Sequence, residues 1–261
     1  MFKGAQFFYF TGTGNTLALA KAAAESLEQQ GITVEVSNVL SSLETEIPEF
    51  VGVFFPVYGY GAPRVINRFL KRLQAGEGRK AFVVANAADN PGTAATDVGL
   101  ALQQNGYKVM LADWVRMPSN YILGRPAIED DKAAEVVAAG EGKVKQLVTA
   151  LFNPDLAEPS LGSPSNPFYR FAYWVFLKSL KYAPRFYKST AKCNGCGACV
   201  EMCPIGSVTL SSTERPVWGR GCEHCLRCLN LCPQAAIECT VFTKGKRRYT
   251  YWQGRNIKSI E

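Results

Sequence analysis

Apolar residues in the first 150 positions arrive in two alternating rhythms. Short runs at residues 5–10, 33–37, 50–55, 81–86 and 108–114 read as strands. The longer stretches 16–30, 63–73, 93–105 and 129–151 carry their apolar positions at helical spacing. The runs at 50–55 and 81–85 are almost wholly apolar, as strands covered on both faces are. Five strands alternating with helices predict a doubly wound, five-stranded parallel α/β sheet over residues 1–152. Ligands in such sheets sit beyond the carboxyl ends of the strands, where the strand order reverses.

Past residue 152 this rhythm stops. Residues 153–167 hold Pro154, Pro159, Pro164 and Pro167 among Ser and Gly, the composition of a linker. Residues 168–187 follow with nine aromatics and no acid. At helical spacing Arg170, Trp174, Lys178 and Lys181 form one stripe, while Phe168, Phe171, Ala172, Val175, Phe176 and Leu180 fall elsewhere. Pro184 is predicted to end this helix. Three uses fit the pattern: packing between two domains, a partner surface, or association with a membrane surface. Residues 188–261 form the remaining unit, a small α+β domain with a basic tail.

All nine cysteines lie between Cys193 and Cys239. Cys193, Cys196, Cys199 and Cys203, followed by Pro204, read C-x-x-C-x-x-C-x-x-x-C-P. Twenty-nine residues later Cys222, Cys225, Cys228 and Cys232, followed by Pro233, repeat that spacing. Two-residue gaps let three successive thiolates wrap three irons of one cube, while the fourth cysteine reaches the other cube. The exchange assigns Cys193, Cys196, Cys199 and Cys232 to one [4Fe–4S] cluster, and Cys222, Cys225, Cys228 and Cys203 to a second. Structural zinc sites favour paired C-x-x-C units instead, and disulfides do not suit a chain without an export signal. Cys239, in a strand-like run, reads as a small buried hydrophobe. His224, the only histidine, lies inside the second run as a neighbour or tuner of its cluster.

Charge divides the chain at the same place. Residues 1–150 hold 14 Lys and Arg against 15 Asp and Glu, whereas residues 151–261 hold 15 against 7. A basic half points to an acidic protein partner, anionic lipid or nucleic acid. Thiolate-bound clusters are themselves anionic, which weakens that inference. The tail Lys244–Arg248, followed by Tyr249, Tyr251 and Trp252, reads as a turn and an edge strand whose charges are solvated or steer an acidic redox partner. The N-terminal residues lack the pattern of a signal peptide, and no apolar run approaches the roughly 20 residues that span a bilayer. The expectation is a cytoplasmic protein with no transmembrane segment.

Three loops at the expected ligand edge carry candidate chemistry. The first is Thr11-Gly12-Thr13-Gly14-Asn15-Thr16, feeding a helix: glycines, hydroxyls and a helix N-terminus that suit a phosphate. It has neither the third glycine of a dinucleotide fingerprint nor the Gly-Lys of a P-loop. The second is Pro56-Val57-Tyr58-Gly59-Tyr60-Gly61, whose tyrosines suit a flat aromatic ring. The third is Asn86-Ala87-Ala88-Asp89-Asn90-Pro91-Gly92, rich in amide donors for a ring edge. Residues 117–121 either join this site or cap the sheet.

With that loop and the cysteine runs together, the chain resembles the family of flavodoxin–ferredoxin fusion proteins of anaerobes, the EFR-type ferredoxins. The resemblance implies FMN, with Thr11–Thr16 on its phosphate. The loops carrying Tyr58, Gly59, Tyr60 and Gly61, and Asn86, Ala87, Ala88, Asn90 and Gly92, then flank the isoalloxazine, and the carbonyl of Gly59 or Gly61 lies near N5. It further implies an electron-transfer flavoprotein relaying electrons between two [4Fe–4S] clusters and FMN, linking a low-potential donor to an acceptor. An FMN-dependent reductase of a small molecule is the alternative, and a nucleic-acid-associated iron–sulfur protein a more distant one. The reductase needs an open pocket over the ring and a proton donor, for which Tyr58, Tyr60 and Asp89 are candidates, but no recognisable acid–base pair is present; the nucleic-acid reading rests on the basic tail.

Overall fold

The computed structural model of the chain describes residues 4–41, 47–151, 160–161 and 166–252. Its core is a parallel sheet of β1 (Gly4–Tyr9), β2 (Thr33–Asn38), β3 (Phe50–Pro56), β4 (Lys80–Ala87) and β5 (Lys108–Arg116). The strands lie side by side in the order β2-β1-β3-β4-β5, the flavodoxin-like arrangement, with its reversal between β1 and β3. Four helices cross over between these strands or follow them: α1 (Asn15–Glu28), α2 (Arg64–Arg72), α3 (Ala94–Gln104) and α4 (Asp130–Ala150).

The apolar pattern explains which strands are central. Every residue of β3 is buried, and β4 is buried throughout apart from its ends. β2, at the edge, alternates polar and apolar residues and stays half-exposed. One face of the sheet is an aromatic layer in which Phe7 meets Phe54 and Phe82, each with ring centroids 5.2 Å apart. Gly52 makes room for it: a Cβ there would stand 2.5 Å from the Phe82 ring and 2.8 Å from that of Phe7. On the other face Phe8 packs on Phe69 of α2 at 4.7 Å.

The sheet gains a sixth parallel member, β6 (Ser160–Leu161), beside β5. It lies within the stretch read as linker, and two residues give no periodicity to detect. Pro154, Pro159 and Pro164 lie outside the described residues.

The aromatic helix forms as α5 (Pro167–Ser179). Asn166 caps it through Oδ1 on the Phe168 amide at 2.9 Å, and Pro167 sits where its missing N–H costs nothing. It stops at Ser179, earlier than Pro184 requires. Pro184 falls instead inside a short 3₁₀ turn, Ala183–Phe186. Tyr169, Tyr173 and Phe176 face the α/β domain, whereas Phe168, Phe171 and Val175 are exposed, along with Trp174.

Two short antiparallel pairs complete the chain: β7 (Tyr187–Ser189) with β10 (Ile237–Cys239), and β8 (Val208–Leu210) with β9 (Pro216–Trp218). Between them, each cysteine run ends in one turn of helix, α6 (Ala198–Glu201) and α7 (Arg227–Asn230). Both turns are capped by a left-handed residue, Gly197 with φ 74° and Leu226 with φ 59°. The repeat seen in the sequence is therefore a repeat of backbone shape. The tail is a correction: residues 246–250 form no strand, because their contacts run to scattered groups, Leu123 and Ala127 in the α/β domain and Asn230 and Glu238 in the cysteine-bearing part, rather than along an edge.

Gly52→Ala should overpack the aromatic layer and destabilise the protein by about 1–3 kcal/mol, measured by denaturant unfolding.

Candidate functional site

The loops at the carboxyl ends of β1, β3, β4 and β5 surround a cavity of about 450 Å³, a usual size for a cofactor or small ligand. Its lining includes Thr11, Gly12, Thr13, Asn15, Thr16, Pro56, Val57, Tyr58, Gly59, Tyr60, Asn86, Ala87, Ala88 and Asn90. Pro118, Ser119, Asn120 and Tyr121 also line it, so the loop after β5 joins the site rather than merely capping the sheet. Phe176 and His224 close it from the C-terminal part of the chain.

Gly14, Gly61 and Gly92 stand behind this lining and let other groups approach. Gly14 has φ 113°, and a Cβ on it would meet the Trp252 ring at 2.8 Å. A Cβ on Gly61 would run into Tyr173, and one on Gly92 would lie 2.8 Å from Tyr60 Cβ. Their role is to bring the loops together.

The hydroxyl loop is tightly organised. Gly14 N–H donates to Thr11 Oγ1 at 3.0 Å, Thr16 Oγ1 donates to Asn86 Oδ1 at 2.6 Å, and Asn120 Nδ2 donates to Thr13 Oγ1 at 3.1 Å. Asn15 Nδ2 holds the carbonyl of Pro118 at 2.8 Å. α1 begins directly at this loop, and no side chain caps it at Gly14. Its first N–H groups and the positive end of its dipole are thus directed at the cavity. Gly59 and Tyr60, with φ 57° and 70°, make a two-residue reverse turn closed by Tyr58 N–H on the Gly61 carbonyl at 2.9 Å.

The second cysteine run forms one wall. A Cβ on Gly12 would stand 2.7 Å from the Tyr58 hydroxyl and 3.2 Å from the Cys225 carbonyl, so these three groups meet at one point. Asn120 Nδ2 also donates to that carbonyl, at 3.2 Å. The Tyr58 hydroxyl is buried without a hydrogen-bond partner, and burial holds its pKa well above the usual value, with Cys225 pushing the same way. His224 has φ 54°, shares a 2.9 Å hydrogen bond between Nδ1 and the Tyr187 hydroxyl, and is drawn by burial down to about 4. It is neutral at physiological pH. Only its place between the first two cysteines of the second run was visible beforehand; its turn toward the cavity goes with the positive φ.

Glu223, fully buried, fixes this wall. Arg64 Nε reaches Glu223 Oε1 at 3.2 Å, the Arg64 amide donates to Oε2 at 3.0 Å, and Arg68 adds a contact at 3.3 Å. Burial raises the Glu223 carboxyl, and both guanidiniums pull it back. The Arg64 side chain also donates to the carbonyls of Gly221 and Cys222, at 3.1 and 2.7 Å.

The tail supplies a second fastening. Tyr249 Oη and Trp252 Nε1 both donate to Asn15 Oδ1, at 2.6 and 2.7 Å. Lys246 Nζ reaches the carbonyls of Leu123 and Gly124, while Arg247 pairs with Glu129 and Arg248 with Glu238. Tyr249 and Tyr251 are buried, so neither ring is presented for stacking on a base.

The fold brings the cysteines together as two crossed groups. Burial raises the Cys199 thiol, and Cys232, Cys193 and Cys196 add to it; the same four line one hollow. Burial likewise raises Cys228, with Cys225, Cys222 and Cys203 adding to it, and pushes Cys225 up to about 12. Donors already face several sulfurs: Ser207 N–H on Cys203 at 3.2 Å, and at 3.4 Å His224 N–H on Cys222, Ala236 N–H on Cys232 and Trp218 Nε1 on Cys228. Among the described residues, no three or more of His, Cys, Asp and Glu close on a point as a single metal ion demands. Cys239 is fully buried in β10.

Residues 192–237 match the family described as 4Fe-4S dicluster domain. No curated protein matches the chain. Similar solved structures include a flavodoxin from the domain Archaea, at 18% identity over 56% of this chain and 99% of that one, TM-score 0.38. A short-chain flavodoxin associated with a non-canonical PDU bacterial microcompartment shows 18% identity over 57% and 98%, TM-score 0.40. The two-electron reduced Megasphaera elsdenii flavodoxin shows 19% over 54% and 98%, TM-score 0.35. Strand order and the matched segment define the class: an iron–sulfur redox protein in which a flavodoxin-like α/β fold is joined to a ferredoxin-like domain. The organisation is a flavodoxin-like strand order followed by a 4Fe-4S dicluster segment.

Arg64→Ala should cost about 2–3 kcal/mol, because it strips the buried Glu223 of its nearer cation. Arg68→Ala, whose side chain is largely exposed, should cost under about 1 kcal/mol. Paired denaturant titrations of the two variants check the contrast.

Proposed function

We propose that the protein relays electrons between two [4Fe–4S] clusters and an FMN held in the cavity. The observation that carries this reading is the meeting of Gly12, Tyr58 and the Cys225 carbonyl: the phosphate-type loop and a cysteine run share one wall. FMN, when bound, supplies chemistry that accepts a pair of electrons in single steps, whereas each cluster passes one at a time.

The chain's own residues fit that group. Thr11–Thr16 and the start of α1 offer hydroxyls, amides and a favourable dipole to a phosphate. The unpartnered Tyr58 hydroxyl offers a proton donor inside the cavity wall, and its raised pKa keeps it protonated. Since the Gly61 carbonyl is engaged with Tyr58 N–H, Gly59 is the better candidate for a carbonyl turned to the ring. Phe176 packs on Gly59 and limits how that peptide turns.

The cysteines fit cubes. Cys193, Cys196, Cys199 and Cys232 hold one, and Cys222, Cys225, Cys228 and Cys203 the other. Burial disfavours a bare thiolate at Cys225 and Cys228, and bound metal would supply the compensating positive charge. The two sites differ in setting: Cys225 and His224 abut the cavity, while Cys196 is exposed. Electrons therefore enter or leave through the first run, from a redox protein whose acidic surface matches the basic half, and cross the second run to the flavin. Eight cysteines kept as thiolate ligands rather than disulfides favour a reducing compartment such as the cytoplasm.

Purification without oxygen tests this directly. About eight irons and eight sulfides per chain, with acid-released FMN, are expected, and a redox titration followed by visible and EPR spectroscopy orders the centres. Zinc in place of iron, or absence of inorganic sulfide, sinks the relay. Gly12→Ala should leave the irons in place while weakening FMN binding by about tenfold, read as retained flavin against added FMN.

A further inference from the structure

We propose that the outward face of α5 seats the protein on the surface of an anionic phospholipid bilayer. Phe168, Phe171 and Trp174 are 64%, 63% and 54% exposed, and Val175 beside them is exposed as well. These residues are not spare core. The inner side of the same helix already packs the turn at residues 58–61, through Tyr169, Tyr173 and Phe176. Beyond the helix, Tyr182 and Phe186 continue the exposed aromatic surface. An apolar patch of this kind on a soluble fold marks a contact surface.

Charge selects the occupant. No Asp or Glu occurs between residues 159 and 200, whereas Arg170, Lys178, Lys181 and Arg185 all belong to this segment. Lys178 Nζ lies 5.7 Å from the Trp174 ring centroid, and Lys181 Nζ lies 4.7 Å from that of Tyr182. At the far end Lys181, Tyr182, Pro184, Arg185 and Arg220 line a hollow of about 390 Å³ with three cations and no acid. A protein-docking face carries a polar rim of mixed hydrogen-bonding character around a flat or hollow centre. Here the aromatics stand on a convex helix, every charge of the segment is positive, and the ammonium groups of Lys178 and Lys181 lie near the Trp174 and Tyr182 rings. That is the arrangement in which rings enter the headgroup layer and cations meet lipid phosphates. Among the described residues no helix is long and apolar enough to cross a membrane, so the association is with the surface.

Vesicle flotation of the full, anaerobically prepared protein tests the proposal. Vesicles of one part phosphatidylglycerol to three parts phosphatidylcholine are compared with phosphatidylcholine alone. Binding at least about tenfold tighter to the anionic vesicles is expected, weakening as salt is added. The double variant Phe171→Ser with Trp174→Ser should lose it, and Lys181→Gln or Arg185→Gln should each weaken it by about fivefold. Unfolding temperature and visible absorption should match the parent in every variant, so that a loss reports the surface and not the fold. Equal or absent binding to the two vesicle types, or binding that survives the double substitution, overturns the proposal. Capture of an acidic redox protein that depends on Phe171 and Trp174, without vesicle binding, overturns it in favour of a protein-docking face.

Discussion

One buried carboxylate holds this molecule in register. Glu223 lies between two cysteines of the second run, yet its partners are on α2, the helix that follows β3. A carboxylate without solvent is costly unless opposite charge and hydrogen bonds surround it, and Arg64 supplies both while also gripping the carbonyls of the two residues before it, Gly221 and Cys222. The backbone from Gly221 to Cys225 is thereby pressed against the carboxyl edge of the sheet. The cavity consequently has a wall that the α/β fold alone does not provide.

The same logic recurs at the other end of that wall. Asn15, first residue of α1, accepts two hydrogen bonds from the tail and donates one to the loop after β5. Asn120, in that loop, reaches both Thr13 and the Cys225 carbonyl, and its own carbonyl accepts from Asn230 of α7. Short amide side chains thus stitch the hydroxyl loop, the loop after β5 and the second cysteine run into a single polar seam. Ligand site and cysteine run are parts of one rigid surface.

Much of this was legible in the sequence, and the parts that were not share a cause. The five strands announced themselves because a strand buried on both faces must be apolar throughout, as β3 is. The cysteine spacing was legible because ligands on successive turns constrain position strictly. Contacts between distant segments leave no such trace. Nothing local marks Glu223 as an ion-pair anchor or His224 as cavity lining, since both depend on which surface the run lands against. The pattern of the aromatic helix did not say which face turns inward: Tyr169 and Tyr173 do, where their hydroxyls pair with Asn90 and Asn67, while Phe168 and Phe171 stay outside. The tail, basic and aromatic in alternation, resembled a strand, but its order comes from Asn15, Leu123 and Glu129, more than a hundred residues earlier.

The seam at Gly12 has a consequence for traffic. In a free-standing carrier of this fold, the rim beside the hydroxyl loop lies open to whichever partner collides with it. Here that rim is occupied by the chain's own cysteine-bearing segment, permanently and at contact distance. Joining the two parts in one chain therefore gives the cavity a wall on the side of the hydroxyl loop that the sheet and its loops do not supply.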